Sequence, residues 1–363
     1  VGTSGTPLDP MLDTLADNGG FAQTHALQTG STAIDGGTNT GAPTTDQRGY
    51  IETDATMDIG AYQYGAVAPD LSIGLEAHLT FDAGQGAQDS SGNNLHGTLS
   101  GNATVDTASG TNQIGDGKLT LDGTDDYVNL NAHAASFASY TEGTVSAWFN
   151  TSSSTQQMLF NLGDTAASSF ASLQLLSSGS IQWWVSEGGS TTVDVSTTAT
   201  FNDGNWHHVA VTVGSSGTSL WVDGVELTGG AVTYLNGSAA STNFYSDLSG
   251  VARAEVGAYE FSGTMYDEFA GLIDDFRIYD RALTASDIDT LQISNDAPVN
   301  TVPGAQTTAT DTALEFSSTN INAISVSDAD AGSNEIEITL SVNNGTLSLN
   351  QGVQTVGVET QSN

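Results

Sequence analysis

The chain has 363 residues, 42 of them acidic and only five basic (Arg48, Lys118, Arg253, Arg277 and Arg281), for a formal net charge of −37. That balance excludes a nucleic-acid partner, whose phosphates demand a basic surface, and an anionic membrane surface with it. Cysteine is absent, which excludes disulfides and thiolate chemistry, and no apolar run approaches the roughly 18 residues of a membrane span.

A chain this acidic repels itself unless cations condense on it, so it suits a salty medium or specific Ca²⁺ sites; acidity for solubility alone accounts for the same carboxylates. The length predicts two or three domains. The 42 Gly residues, with abundant Ser, Thr, Asn and Asp, predict short strands and many turns, an all-β chain. The sequence opens at Val1 with no basic-then-apolar leader and stops in a polar segment. We therefore expect a piece of a longer protein.

Residues 1–67 contain one helix-like segment, Pro10–Asp17, followed by turn and strand punctuation. Leu15-Ala16-Asp17-Asn18-Gly19-Gly20, Thr24-His25-Ala26-Leu27, Ala33-Ile34-Asp35-Gly36-Gly37, Asp46-Gln47-Arg48-Gly49 and Asp58-Ile59-Gly60-Ala61-Tyr62 follow in series. The series resembles the final turn of the right-handed parallel β-helices of bacterial surface proteins, with Gln63 in place of their usual Glu. A solenoid's last coil cannot bury its apolar face alone, so this segment is expected either to dock on the next domain or to be irregular.

Ala66–Asp70 reads as a linker, and residues 70–293 as one domain. His78-Leu79-Thr80-Phe81-Asp82 is an opening strand, and Gln88-Asp89-Ser90-Ser91-Gly92-Asn93-Asn94 a polar loop. Leu119-Thr120-Leu121-Asp122-Gly123-Thr124-Asp125-Asp126-Tyr127-Val128 is a strand–turn–strand signature. Val145–Phe149, Trp206–Thr212 and Leu220–Val222 alternate as middle strands. Asp223-Gly224 between alternating runs predicts a tight hairpin, and Asn202-Asp203-Gly204 a second turn. Thr228–Gly250, rich in Gly and Ser, reads as a long loop. Gly271–Leu283 is the closing strand, with Thr284 or Ser286 capping a short helix through Leu291. On strand alternation Leu272, Asp274, Phe276 and Ile278 share one face. In this order the motifs resemble the laminin-G-like, concanavalin-A-like jelly rolls of bacterial surface proteins, with Leu121 where Phe is more usual. The resemblance implies a jelly-roll sandwich in a secreted or cell-surface protein.

Ser294–Asn300 is a second linker. Beyond it Leu314–Phe316, Ala323–Val326, Ile336–Val342 and Thr346–Leu349 alternate as strands. Asn295-Asp296-Ala297-Pro298 followed by Ser327-Asp328-Ala329-Asp330-Ala331-Gly332 resembles the start of the cadherin-like repeats of large bacterial adhesins. Residues 294–363 are then a truncated sandwich repeat, since a complete one takes about 100 residues.

Four groups carry the candidate chemistry. A lone carboxylate on an apolar face costs several kcal/mol unless paired, which makes Asp274 a metal-ligand candidate. With Asp82, Asp89 and Asn94 it offers the hard oxygen shell Ca²⁺ prefers, and the resemblance implies such a site. Alternatively, Asp89 caps an Asx-turn and Asp274 pairs with an Arg. In the second group, Trp148, Trp184 and Trp221 fall on the polar side of their strands. If those strands share a sheet, the indoles form a platform for sugar rings; otherwise loops or the core cover them. The third group is the DxD-like elements, Asp125-Asp126 and Asp328-x-Asp330. The latter, with Asp296, resembles inter-repeat calcium ligation, and solvated turn aspartates are the competing reading. Catalysis, the fourth, has least support. Neither E-x-D-x-x-E nor E-x-D-x-E occurs in Leu71–Ile293, G-x-S-x-G and H-E-x-x-H are absent, and His207 and His208 have no nucleophile motif beside them. The expectation is a non-enzymatic, calcium-stabilised module that binds a glycan or other cell-surface ligand beside neighbouring domains. A glycoside hydrolase or lyase, or a plain spacer, are the alternatives.

Overall fold

The computed structural model describes residues 9–16, 18, 23–40, 42–43, 45–51, 56–107 and 113–292, and short pieces between 299 and 327. In chain order the strands begin β1 (Leu75–Leu79), β2 (Thr98–Ser100), β3 (Thr104–Asp106), β4 (Lys118–Asp122), β5 (Tyr127–Asn129) and β6 (Gly143–Asn150). Next come β7 (Gln157–Gly163), β8 (Phe170–Leu175), β9 (Ile181–Glu187), β10 (Ser190–Thr197), β11 (Trp206–Gly214) and β12 (Gly217–Val222). The sandwich ends with β13 (Val225–Leu227), β14 (Val232–Asn236), β15 (Arg253–Val256), β16 (Tyr259–Phe261), β17 (Thr264–Tyr266) and β18 (Ala270–Tyr279). Helices α1 (Ala134–Phe137) and α2 (Ala285–Leu291) are short.

Two eight-stranded sheets result, one ordered β13-β12-β11-β6-β18-β4-β3 and the other β14-β10-β9-β8-β7-β15-β5-β2. Strand β18 is central to the first: β6 pairs along one side, while β4 and β1 share the other. All these pairings are antiparallel. Alternation explains the packing. Val145, Ala147 and Phe149 of the first sheet, and Leu173, Trp183 and Val193 of the second, turn inward to one core. Phe160 meets Phe276 across it at 5.2 Å between ring centroids. The Asp223-Gly224 hairpin forms as expected, with φ of +50° and +77°, the left-handed pair a type I′ turn requires.

Several expectations need correction. The closing strand does not keep one alternation: Asp275 adopts φ +48° and the register with β6 shifts between Asp274 and Arg277. This bulge flips the phase. Ile273, Phe276 and Ile278 face the core, whereas Asp274 is opposite Trp148 in the ladder, on the outer face. Residues 228–250 are not all loop. Val232–Asn236 adds an edge strand to β10, and Phe244 and Tyr245 are fully buried, a tertiary role hidden by the Gly- and Ser-rich surroundings.

The helix expected over Pro10–Asp17 is also absent from its described residues. Leu12 bridges Leu27, and Ala16 bridges Thr24, in antiparallel fashion. Among the described residues of 9–67, pairing is by isolated antiparallel bridges alone, with no parallel ladder. The Asp46–Gly49 motif nevertheless forms a tight clasp. Buried Arg48 bonds Asp46 at 2.6 Å and lies 3.8 Å from the Tyr62 ring centroid. Ser286 of α2 donates to the Gly49 carbonyl, so the segment touches the sandwich there.

Helix α2 is capped by Thr284, whose hydroxyl accepts from Asp287 N–H while the Asp287 carboxylate accepts back from Thr284 N–H, a capping box. Farther on, β19 (Val299–Thr301) pairs with β20 (Ser325–Ser327), and Leu314–Phe316 is exposed rather than a strand. The remaining strands expected of this repeat, 336–342 and 346–349, lie outside the described residues, as do Asp296, Asp328 and Asp330.

Candidate functional site

The outer face of the second sheet carries a row of polar side chains. Ladder partners place Asn129, Glu255, Asn161, Ser172, Trp184, Asp194 and Asn236 side by side across seven strands, and Met158, Gln174 and Gln182 form the next row. Neighbours in such rows project to the same side. They are cross-bonded: Gln174 Nε2 donates to Gln182, Gln182 Nε2 to Asp194 at 2.7 Å, Ser172 Oγ to Asn161 Oδ1 at 2.9 Å, and Asn161 Nδ2 to Glu255 at 3.3 Å.

Above this floor lies a cleft of about 190 Å³. Its floor is Met158, Asn161, Ser172 and Gln174, and one wall is Trp184 with Phe170, Ala167 and Asp164. Tyr259, Glu260, Asp267 and Gln156 form the opposite side. Trp184 is partly exposed and held in place. Its Nε1 donates to Thr191 Oγ1 at 3.1 Å, and Phe170 meets it edge-on, centroids 4.8 Å apart. Burial pushes the Glu255 carboxyl up to about 7 against the opposing pull of Asn161 and Arg253. Burial likewise raises Asp267. For Asp164 burial is outweighed by hydrogen bonds from Ser168, Ala166 and Ser169, which hold it below the usual carboxylate range.

Trp148 and Trp221 belong to the other sheet, so the three indoles do not share a platform. Each is 7% exposed. Trp221 is packed with Tyr279, Leu283, Ile288 and Leu291 around α2 and donates to Thr212 Oγ1; Trp148 lies 5.3 Å from the His208 ring. The polar side of these strands is covered, because the helix after β18 folds back over it. His208 is buried and bonded to Gln292, and burial pushes it down to about 4, leaving it neutral at pH 7. His207 is bracketed by Asp223 at 2.8 Å and Asp203 at 3.2 Å.

The expected calcium ligands are divided. Asp89 Oδ1 accepts from His78 N–H and Ser91 N–H, and Oδ2 from Ser91 Oγ and Leu95 N–H, which uses the acceptor sites of both oxygens. This is the Asx-turn arrangement. Asn94 is exposed in a left-handed turn (φ +61°). Asp82 and Asp274 instead brace one turn: Asp82 Oδ1 accepts from Asp116 N–H, and Asp274 Oδ2 from Gln113 and Ile114 N–H. Asp274 does not pair with an Arg, as the alternative reading had it; Asp275 does, with Arg277 at 3.0 Å. Burial pushes Asp274 up to about 7 despite these bonds. Among the described residues, the group with carboxylate oxygens all within 4.8 Å of one another is Asp122, Asp125 and Asp126. Asp126 is held by Asn102 and Asp122 N–H groups, and the other two are exposed.

Sequence reasoning missed most of the cleft. The alternants Ser172 and Gln174, polar between core residues, were a usable signal. Tyr259, Glu260 and Asp267 had none, since only tertiary pairing brings the β16–β17 hairpin beside β7.

No curated protein matches the chain. Among solved structures, domain 4 of AbnA, an extracellular arabinanase from Geobacillus stearothermophilus in complex with arabinotriose, is 24% identical at a TM-score of 0.46, covering 60% of this chain and 98% of that one. The CBM40 of the Ruminococcus gnavus IT-sialidase, bound to α2,3-sialyllactose, is 17% identical at 0.41, covering 48% and 95%. The receptor-binding domain of botulinum neurotoxin C/D mosaic serotype is 21% identical at 0.43, covering 60% and 51%. Residues 122–289 match the family model of the concanavalin A-like lectin/glucanases superfamily, and the two packed antiparallel sheets are that fold: an all-β, concanavalin-A-like jelly roll.

Proposed function

We propose that this domain is a non-catalytic glycan-binding module whose site is the cleft on the second sheet. The observation that carries the reading is the Trp184 indole, fixed by Thr191 and Phe170 at the wall of a cleft floored by amide and hydroxyl groups. Sugar recognition needs an apolar plate for the C–H face of the ring and amide or hydroxyl groups for its hydroxyls, on a scaffold that does not have to be ordered on binding. The carboxylates of the cleft are engaged: Glu260 with Arg253 at 2.7 Å, Asp267 with Gln156 at 2.9 Å, Asp164 with its own turn. That favours binding without cleavage. The secreted, adhesin-like setting rests on the motif resemblances of the flanking stretches.

The test is a glycan array followed by titration of the hits with wild type and Trp184→Ala. The variant is expected to bind at least about tenfold more weakly, the loss of a central aromatic anchor, whereas Trp221→Phe leaves affinity unchanged. Unaltered binding by the Trp184 variant overturns the site. Release of new reducing ends from the hits would turn the reading to a glycoside hydrolase, and an array without any hit would turn it to a spacer.

Calcium belongs to the same proposal. Carboxylates and carbonyls suit that ion. The Asp122–Asp126 turn and the turn braced by Asp82 and Asp274 are where such oxygens collect, whereas the oxygens of Asp89 are taken up by the protein's own donors. We expect millimolar Ca²⁺ to raise the unfolding temperature over an EDTA control by several degrees, as about 2.7 kcal/mol of stabilisation at 100 times the dissociation constant requires. Asp125→Asn and Asp274→Ala divide the candidates: the one that abolishes the rise marks the site. If wild type shows no rise, calcium has no part in the domain.

A further inference from the structure

The chemistry of the cleft also bears on which sugars it takes, an inference that rests on the glycan-binding reading. Asp164, Glu260 and Asp267 line it, and among the described residues no Lys, Arg or His does. Arg253, the nearby cation, spends its Nη2 on Glu260 at 2.7 Å. With Glu260 neutralised by that pair, a ligand carboxylate would meet the like charges of Asp164 and Asp267 in a partly desolvated site, inside a chain of net charge −37, and such a contact weakens binding by at least about tenfold.

The hairpin beside the cleft is aromatic. Tyr259, at the wall, stacks on Tyr266 with centroids 5.5 Å apart and ring planes 27° from parallel, and Phe261 lies 6.3 Å from Tyr266. Phe261 and Tyr266 are 36% and 41% exposed, so part of each ring remains open to water. The hairpin is braced at both ends: Glu260 is tied to Arg253 of β15, the Asp267 carbonyl accepts from Met158 N–H at 2.7 Å, and its carboxylate accepts from Gln156. Exposed rings on a braced ledge, continuous with the cleft through Tyr259, offer a second stacking surface with little ordering to do on binding.

We propose that cleft and hairpin together bind an extended, uncharged oligosaccharide, one ring against Trp184 and a further ring on the Tyr266–Phe261 ledge, and that the carboxylate-lined wall rejects glycans bearing sialic or uronic acid.

The experiment titrates the full chain with neutral gluco-, xylo-, manno- and arabino-oligosaccharides of increasing length, and with oligogalacturonides and sialyllactose as acidic probes. We expect affinity to rise with length for the neutral series. In Phe261→Ser/Tyr266→Ser that gain is lost, so that long ligands bind about as weakly as short ones, and circular dichroism shows the sandwich still folded, since both rings lie outside its core. Acidic probes should bind at least about tenfold more weakly than neutral ones at low salt, with the gap narrowing as salt screens the wall. Acidic probes that bind as tightly as neutral ones, or a length gain untouched by the double variant, overturn the inference while leaving the cleft a glycan site. Binding by no glycan of either charge removes the glycan-binding reading itself, and this inference with it.

Discussion

Asp275→Asn is expected to destabilise the sandwich by about 3–5 kcal/mol, the cost of leaving a buried charge without its partner. Asp275 occupies the bulge of β18, 2% exposed. Its Oδ1 accepts from His78 Nε2 at 2.5 Å and from Arg277 Nη2 at 3.0 Å. Burial alone would raise this carboxyl, but the Arg277 guanidinium and His78 hold it well below the usual carboxylate range. Asn keeps the left-handed backbone that φ +48° demands, so the substitution tests charge rather than strain. Arg277, with a side chain 15% exposed, would be left buried with its Nε already lacking an acceptor among the described residues. Because the folded-state value is depressed, the stability contributed by Asp275 is present above its unfolded value of about 3.9 and lost as pH falls below it. Urea unfolding at pH 7 and pH 3 measures both effects. A loss under 1 kcal/mol at pH 7, or a loss that does not shrink toward pH 3, contradicts this account. The double variant Asp275→Asn/Arg277→Met should recover part of the loss, since no unpaired charge then remains.

The second large effect is expected at Glu255→Gln, with the opposite sign. Glu255 is fully buried, its Oε2 accepts from Asn161, and among the described residues no hydrogen-bond donor meets its Oε1. Burial raises its carboxyl from 4.5 to about 7, so between those values the folded state holds a proton that the unfolded chain releases. The resulting stability is fully present below about pH 4.5 and is lost as pH rises to about 7, by up to about 3 kcal/mol. Gln keeps an acceptor for Asn161 and never ionises. The variant should therefore match wild type near pH 4.5 and exceed it by up to about 3 kcal/mol at pH 8. Asp274, also raised to about 7 by burial, titrates over an overlapping range, which is why the difference between the two proteins is the quantity to follow. A difference that stays flat from pH 4.5 to 8 would falsify the assignment to Glu255.

Some of this protein was fixed by local sequence. The chemistry of a short segment decides such features without reference to distant ones: Asp223-Gly224 takes the type I′ turn because those residue types tolerate positive φ. Thr284 and Asp287 cap α2 three residues apart. Val145, Ala147 and Phe149 face the core because strand alternation has a period of two. The set of motifs in order was enough for the jelly roll, and the polarity around Trp184 was enough to put it on the outer side of its strand.

Tertiary structure decided what lies over each outer face. The polar flanks of Trp148 and Trp221 match that of Trp184, yet α2 and the side chains packed with it cover Trp221, and Trp148 lies buried against His208, whereas the second sheet leaves a cleft above Trp184. Local pattern cannot encode that difference, because it depends on which sheet each strand joins and where the following chain returns. The bulge at Asp275 is of the same kind. One residue in a left-handed conformation shifts the phase of all that follow, so Asp274 and Asp275 exchange the roles that simple alternation assigned them: Asp274 meets backbone N–H groups of a distant turn, and Asp275 takes the cation. The charge census was legible from composition; the pairing of those charges was settled only when strands far apart in sequence came side by side.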